Sequence, residues 1–200
     1  MEQPCVQPPN FLKLNCSSAG YPYVLSGALP RGYFTRFFNG KPLPDSWTPP
    51  PVEIRRAKAK LPDAIAWKEH LALLSKRAVD LFEETAPGCA EYREFLSIRG
   101  SPYYVLNVLT TENILDLENS EFTRSANGDI RTVQRYFFTV ERTSSPLFKL
   151  SNRLDGPVFL THAFARAIVD AGLLGFEFRN PALNETRMLF SGASANYFPG

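Results

Sequence analysis

Cysteine is scarce in this sequence, which has only Cys5, Cys16 and Cys89 among its 200 residues. Their number is odd, and the three positions lack the paired spacing of a zinc-binding motif. The sequence therefore argues against both a disulfide framework and a structural zinc site. So few cysteines are typical of a reducing compartment, and we expect a cytoplasmic protein.

Long apolar runs and an excess of charge are also missing. No run approaches the ~20 residues that span a bilayer. The first residues, MEQPCVQPPNFLKLNC, lack the basic start and apolar stretch of a secretory signal. The formal net charge is +2, so no overall field selects nucleic acid or an anionic membrane as a partner. We therefore expect a protein that binds neither membranes nor nucleic acids.

Catalytic and cofactor-binding motifs are absent as well. The chain has no Gly-x-Ser-x-Gly elbow, no P-loop and no Gly-x-Gly-x-x-Gly turn, and no cluster with metal-ligand spacing. Its two histidines are His70, in a WKEH run, and His162, beside a predicted helix start. Both positions are typical of a helix surface, so we predict no catalytic residue, cofactor or metal. A small hydrolase or transferase using His162 or His70 with nearby carboxylates is the alternative.

Proline and aromatic residues, in contrast, are abundant. Many of the 17 prolines fall within residues 1–51, where they exclude a long helix. We expect irregular chain there, with short edge strands at residues 21–25 and 32–38 on the surface of the domain. A chain of this length is enough for a single domain. We divide it into this proline-rich part, a core over residues 52–180 and a tail over residues 181–200.

Two later stretches repeat the same order of features. In the first, Ser75 is a predicted helix N-cap, followed by an amphipathic helix, Gly88 and the alternating strand EYREF. In the second, Thr161 is the cap, Gly172 ends the helix and GFEF is the strand. An internal duplication explains the likeness, and so does the pattern common to all helix–strand pairs.

The strand-like stretch YYVLNVL lies between these two units. Together they predict an α+β fold, with a mixed or antiparallel sheet and short helices. If the duplication is real, the fold contains two similar strand–helix–strand halves.

Three segments of the chain carry a resemblance to a known family. They are residues 74–95, residues 103–120 with the sequence LDLENS, and residues 147–178 ending in DAGLLGFEF. Over roughly residues 60–180 the chain resembles the eleventh family of bacterial polymorphic-toxin immunity proteins, earlier a domain of unknown function. The resemblance implies a cytosolic antidote that binds and blocks a secreted toxin encoded beside it. It brings no catalytic residues.

An acidic stretch supplies candidate residues for contact with such a toxin. On one face, its carboxylates would attract a basic partner and speed association. The alternatives are a scattered solvated surface and, for Asp116, a buried carboxylate that caps a turn. Interfaces also need aromatic anchors, for which we choose Tyr33 and Phe37. The carboxylates of the stretch are Glu112, Asp116, Glu118 and Glu121.

The missing features and the resemblance agree on one function. They predict a protein without catalytic activity that neutralises a cognate toxin by occluding its active site or its substrate groove. The hydrolase or transferase and a structural adaptor within a larger assembly are the other hypotheses. Co-expression with the product of the adjacent gene separates them.

Overall fold

The computed structural model describes residues 10–68, 71–183 and 188–191. No helix among these residues is long and apolar enough to cross a membrane. The elements in chain order are β1 (Phe11–Cys16), β2 (Tyr23–Ser26), α1 (Tyr33–Phe37), β3 (Val52–Arg55), β4 (Ala64–Lys68), β5 (Leu71–Ser75), α2 (Lys76–Thr85), β6 (Ala90–Ile98), β7 (Ser101–Val108), β8 (Thr111–Glu112), β9 (Glu121–Arg124), β10 (Ile130–Arg135), β11 (Leu147–Leu150), β12 (Val158–Thr161), α3 (His162–Asp170), β13 (Phe176–Arg179) and β14 (Met188–Ser191).

The described strands form two main sheets and two ribbons. One sheet has six strands in the order β14-β13-β1-β12-β11-β8, and the other has four in the order β4-β5-β7-β6. The ribbons pair β2 with β3 and β9 with β10. Neighbouring strands are antiparallel, except that β8 and β11 run parallel. This arrangement confirms the predicted α+β class, with mixed and antiparallel sheets and short helices.

The two strand–helix–strand units have the same topology. In the four-stranded sheet, β5 leads into α2 and then β6, and β7 lies between the two strands and antiparallel to both. In the six-stranded sheet, β12 leads into α3 and then β13, and β1 takes the middle place in the same way. The similar halves expected from the sequence are therefore similar in strand order. They differ in that the middle strand follows one unit and precedes the other.

Both helices begin at the predicted caps. Ser75 Oγ accepts a hydrogen bond of 3.2 Å from the Ala78 amide, and Thr161 Oγ1 accepts one of 3.3 Å from the Phe164 amide. Each bond satisfies one of the amides that a helix start leaves unpaired. The helices meet in the main core, where the ring centroids of Phe82 and Phe164 are 4.7 Å apart. The α2 helix ends at Thr85, before the predicted stop.

Several strands are buried on both faces, among them β5, β11 and β12, which explains their mainly apolar runs. In β5, Ala72 and Leu74 face the main core below the helices. Leu71 and Leu73 face a second cluster, which contains Phe38 and part of the N-terminal segment. The outer face of the six-stranded sheet is covered by a third cluster around Phe148 and Phe159, with Ile114, Leu115, Val133 and Tyr136.

A tight junction joins the two units beside Gly175. The amides of Asp63 and Ala64 donate to the Leu174 carbonyl at 2.8 and 3.0 Å, and the Asp63 carboxylate accepts from the Leu174 amide at 2.9 Å. Gly175 has a φ of +91°, and a Cβ atom there would lie 2.2 Å from the Ala64 carbonyl oxygen. Only glycine permits this approach of the two chains.

The N-terminal part differs from our expectation in two places. β1 is an interior strand of the six-stranded sheet, paired with β12 and β13, whereas we expected edge strands on the surface. Residues 32–38, expected to be extended, contain the helix α1. Gly32 has a left-handed φ of 75°, and it starts a turn in which the Tyr33 amide donates to the Pro30 carbonyl at 3.0 Å. The aromatic residues of YFTRFF have the spacing of a helix, and this spacing was the overlooked signal.

Candidate functional site

The acidic stretch runs from β8 to β9, and we call it the acidic segment (residues 112–121). At its start, Glu112 is half-buried, and its Oε1 accepts a hydrogen bond of 2.6 Å from Thr143 Oγ1. At its end, Glu121 forms an ion pair with Arg135 across the β9–β10 ribbon, with 2.8 Å between Nη1 and Oε1. These two carboxylates therefore already have partners within the chain.

Asp116 caps the turn in the middle of the acidic segment. Its Oδ1 accepts from the amides of Glu118 and Asn119 at 3.0 and 3.1 Å, and its Oδ2 accepts from Asn119 Nδ2 at 2.6 Å. The hydrogen bonds from Asn119 and then from Glu118 hold the pKa of the Asp116 carboxyl below its usual value. The capping alternative thus describes Asp116, although its side chain is half-exposed. The exposed Glu118 carboxylate makes no ion pair with a described residue.

Tyr33 and Phe37 lie on α1 and are half-buried, with ring centroids 4.8 Å apart. Tyr33 Oη accepts a hydrogen bond of 3.1 Å from Trp47 Nε1, and burial raises the pKa of the phenol. Both rings pack against the cluster on the four-stranded sheet. The acidic segment packs through Ile114 and its neighbours against the cluster on the six-stranded sheet. The two sets of predicted contact residues therefore belong to different packing clusters.

The residues considered for catalysis are placed as follows. His162 is the first residue of α3 and is half-buried, and His70 lies outside the described residues. Burial raises the pKa of the Cys16 thiol to about 12, with the nearby Glu177 acting in the same direction, so this thiol is neutral at physiological pH. Within residues 10–68 and 71–183, no group of three His, Cys, Asp or Glu side chains could hold a metal ion.

A cleft of about 640 Å³ opens between the N-terminal segment and the two main sheets. Its walls come from the chain between β2 and α1, from the ends of β4 and β5, and from the loop after β11. Tyr33 and Phe34 line one side and Trp67 lines another. Of the residues predicted to contact a toxin, Tyr33 alone lies on this lining.

Lys149, on the lining of this first cleft, is only 2% exposed. Its Nζ donates to the carbonyls of Phe38 and Leu154 at 3.1 and 2.9 Å. No carboxylate of a described residue lies within ion-pair distance of Nζ. Burial lowers the pKa of the Lys149 ammonium to about 8, and the more distant Asp155 opposes this shift.

A second cleft of about 400 Å³ lies beside the first and shares a wall with it. Two residues on its lining carry buried donor atoms, Asn15 Nδ2 and Arg179 Nε, that have no hydrogen-bond partner among the described residues. We call the two clefts together the groove. The shared wall consists of Leu25, Trp67, Lys68 and Leu71.

The groove was not predicted from the sequence, because its parts lie far apart in the chain. One signal was present: Lys149 interrupts the apolar stretch LFKL, whose other residues are all buried. A lysine inside a strand that is buried on both faces needs an explanation. Asn15 and Arg179 carried no local signal, since they meet only through the pairing of β1 with β13.

Comparison with models of known protein families assigns this chain to one of them. A model of the immunity protein family Imm11 matches residues 28–182. The chain belongs to this family. The match confirms the resemblance seen in the sequence and extends it toward the N-terminus, into the proline-rich part. A comparison with curated proteins finds no match.

The Imm11 match covers most of the molecule described above. It includes α1, the acidic segment, both strand–helix–strand units and the part of the groove formed by Lys68, Lys149 and Arg153. It leaves out β1 and β2, which carry Asn15 and Leu25. The groove of this Imm11 protein is thus built from matched and unmatched parts of the chain.

Proposed function

We propose that this chain neutralises a cognate secreted toxin by binding it and covering its active site or its substrate groove. Membership of the Imm11 family over residues 28–182 carries this proposal. The protein acts by binding alone, without catalysis, in the cytoplasm where the toxin would otherwise damage the producing cell. The toxin is encoded beside it.

The chemistry of the surface supports a binding function. The groove presents buried donor atoms without acceptors in the described part of the chain, beside apolar side chains such as Leu25, which is 42% exposed. Desolvated polar groups around an apolar centre are the features that give protein interfaces their affinity and specificity. A specific interface buries about 800 Å² on each partner, so the contact extends well beyond one cleft.

We assign the acidic segment a different part in toxin binding. Its exposed carboxylates, Glu118 above all, attract a basic face of the toxin and speed the encounter. Exposed charges at the rim of an interface mainly change the association rate and its salt dependence. Tyr33 is the aromatic contact on the groove side, and Phe37 supports it from the neighbouring turn of α1.

Co-expression with the product of the adjacent gene tests the proposed function. We expect cells that produce the toxin to survive only with this chain present, and the two proteins to co-purify as a complex. The control is the toxin with an empty vector. If the chain neither rescues growth nor forms a complex, the proposed function is wrong. A rescue without a complex would contradict the binding mechanism.

A further inference from the structure

Two adjoining clefts form the groove. Four residues belong to the linings of both clefts, so the clefts meet at this shared wall. The wall is mainly apolar: Leu25 is 42% exposed, and Leu71 and Trp67 are buried behind it. Trp67 is held in place because its Nε1 donates to Ser26 Oγ at 2.7 Å.

Donor atoms on both sides of this wall lack acceptors. The Lys149 ammonium has three N–H groups, and its two hydrogen bonds to carbonyls leave the third without an acceptor among the described residues. In the second cleft, Asn15 Nδ2 and Arg179 Nε are buried and find no acceptor in the part of the chain that the structure describes, so both donors are left unpaired there. Buried donors are nearly always satisfied in folded proteins. These three therefore point to a ligand rich in acceptors.

The charges of the groove favour an anionic ligand. Arg153 and Asp155 form an ion pair of 3.3 Å, and Arg153 also donates to the Arg131 carbonyl at 2.7 Å. Arg179 pairs with the buried Glu177 at 3.1 Å. Lys149 and the exposed Lys68 are left as positive charges without a carboxylate partner among the described residues. Lys68 Nζ lies 5.8 Å from the Phe34 ring centroid, at the rim of the first cleft.

We propose that the groove receives an acidic peptide loop of the cognate toxin, with an Asp or Glu carboxylate of that loop accepting a hydrogen bond from Lys149 Nζ. The toxin loop crosses the wall at Leu25, and its next oxygen atoms accept hydrogen bonds from Asn15 Nδ2 and Arg179 Nε. The carboxylate supplies the missing counter-charge of Lys149. The inference rests on the proposed function, because it takes the partner to be the toxin.

Proton uptake is the specific signature of this contact. The charged groups that line the first cleft with Lys149 are Lys68, Arg153 and Asp155, and Tyr33 is its other titratable group. The pKa of Lys149 is about 8 in the free protein, so at pH 8.5 most of these side chains are neutral. A carboxylate at hydrogen-bond distance favours the charged ammonium. Binding at pH 8.5 therefore takes up about half a proton or more.

The test measures binding of the toxin, the product of the adjacent gene, by calorimetry at pH 8.5 in two buffers of different ionisation enthalpy. We compare the wild type with Lys149→Met and with the control Lys76→Met, which changes an exposed lysine on α2. We expect Lys149→Met to weaken binding about 10- to 100-fold and to abolish the proton uptake. Lys76→Met should match the wild type in both measurements.

A second variant keeps the test valid if Lys149→Met does not fold. Lys68→Glu reverses an exposed charge on the wall shared by the two clefts, and we expect it to weaken binding about tenfold. If Lys68→Glu or a folded Lys149→Met binds the toxin as tightly as the wild type does, the inference is wrong. It is also wrong if the wild-type protein binds the toxin without taking up protons. In those cases the complex itself still upholds the proposed function.

Other occupants of the groove give different results. If the wild type does not bind the toxin, the proposed function is wrong. The groove is then tested with N-acetylglutamate amide, a small molecule that carries a carboxylate. A shift of the Lys149 side-chain NMR signals with this probe, absent with N-acetylglutamine amide, would show a small-molecule carboxylate site and overturn the toxin assignment. A dimer that Leu25→Glu dissociates would show a second copy of this chain in the groove, with the same consequence.

Discussion

The acidic segment and the groove differ in what their polar groups already do. In the acidic segment, Glu112 accepts from Thr143, Asp116 caps a turn and Glu121 pairs with Arg135. In the groove, buried donors lack acceptors, and Lys149 has no carboxylate partner among the described residues. The carboxylates that were easy to find in the sequence thus mostly have partners within the chain. The donor groups that lack partners were not recognised from the sequence.

This difference separates two contributions to binding. Carboxylates that are tied to the chain at the surface act mainly through their field, which changes the rate of encounter. Donors that are buried and unsatisfied in the free protein gain full hydrogen bonds in the complex, and such bonds mainly slow dissociation. We therefore expect the groove to carry the affinity and the acidic segment to assist association.

The largest expected effect concerns Lys149 and pH. Its folded pKa of about 8 lies below its ordinary value of 10.5, so between these values the unfolded chain binds the extra proton and stability rises with pH. Relative to Lys149→Met, the free energy of unfolding of the wild type should rise by about 3 kcal/mol between pH 7 and 10. Urea unfolding at several pH values measures this.

The control for this experiment is Lys68→Met, which replaces an exposed lysine on the lining of the same groove. Lys68 is exposed and keeps its contact with water in the folded protein, so the unfolding free energy of this variant relative to the wild type should stay nearly constant over the same pH range. A constant difference for Lys149→Met as well would mean that Lys149 is an ordinary surface lysine in solution.

The next effect compares two exposed leucines. Leu25 lies on the wall of the groove and is 42% exposed, and Leu117 lies in the acidic segment and is 46% exposed. Leu25→Glu puts a negative charge on the wall that we expect the acidic part of the toxin to cross, and it should raise the Kd of the complex about 30-fold or more. Leu117→Glu should change the Kd by less than about threefold. Surface plasmon resonance compares the two. The reverse order would move the interface to the acidic segment.

Structural features could be predicted from the sequence where they depend on residues that are close together in the chain. Ser75 and Thr161 cap their helices through neighbours three residues away, and the sequence predicted both. The place of β1 depends on its pairing with residues far along the chain, such as Lys13 with Arg179. No local pattern encodes that pairing.

The same reason applies to the candidate site. Lys149 becomes buried because the Phe38 carbonyl, 111 positions away in the chain, reaches its ammonium. The acidic residues were easy to find because they are close in sequence, but their partners Thr143 and Arg135 could not be seen there. A list of charged residues does not tell which of them the fold already uses.

A smaller effect should appear at Asp116 in acid. Because hydrogen bonds lower its folded pKa below the ordinary 3.8, the carboxylate stabilises the fold above that pH, and this contribution disappears as the pH falls through the folded pKa. Asp116→Asn should lower the thermal midpoint at pH 6, and the gap to the wild type should narrow as the pH falls through the folded pKa of Asp116. Calorimetric melts test this. Toxin affinity should stay the same, and a loss of affinity would give Asp116 a direct contact.

The smallest effect should come from charge reversal at Glu118, inside the turn that Asp116 caps, and at Glu121, the first residue of β9. Glu118→Lys with Glu121→Lys should slow association with the toxin about two- to fivefold at low salt and weaken its salt dependence. The dissociation rate should not change. Stopped-flow measurements at several salt concentrations give both rates. An unchanged association rate would remove the acidic segment from the encounter.

Hydrogen exchange of the free and toxin-bound protein tests the central claim most directly. If the toxin occupies the groove, exchange should slow most at the amides of residues 27–32 and 151–156, which border the first cleft. Protection at residues 112–121 should be weaker. Protection confined to the acidic segment, with unchanged exchange around the groove, would contradict the account.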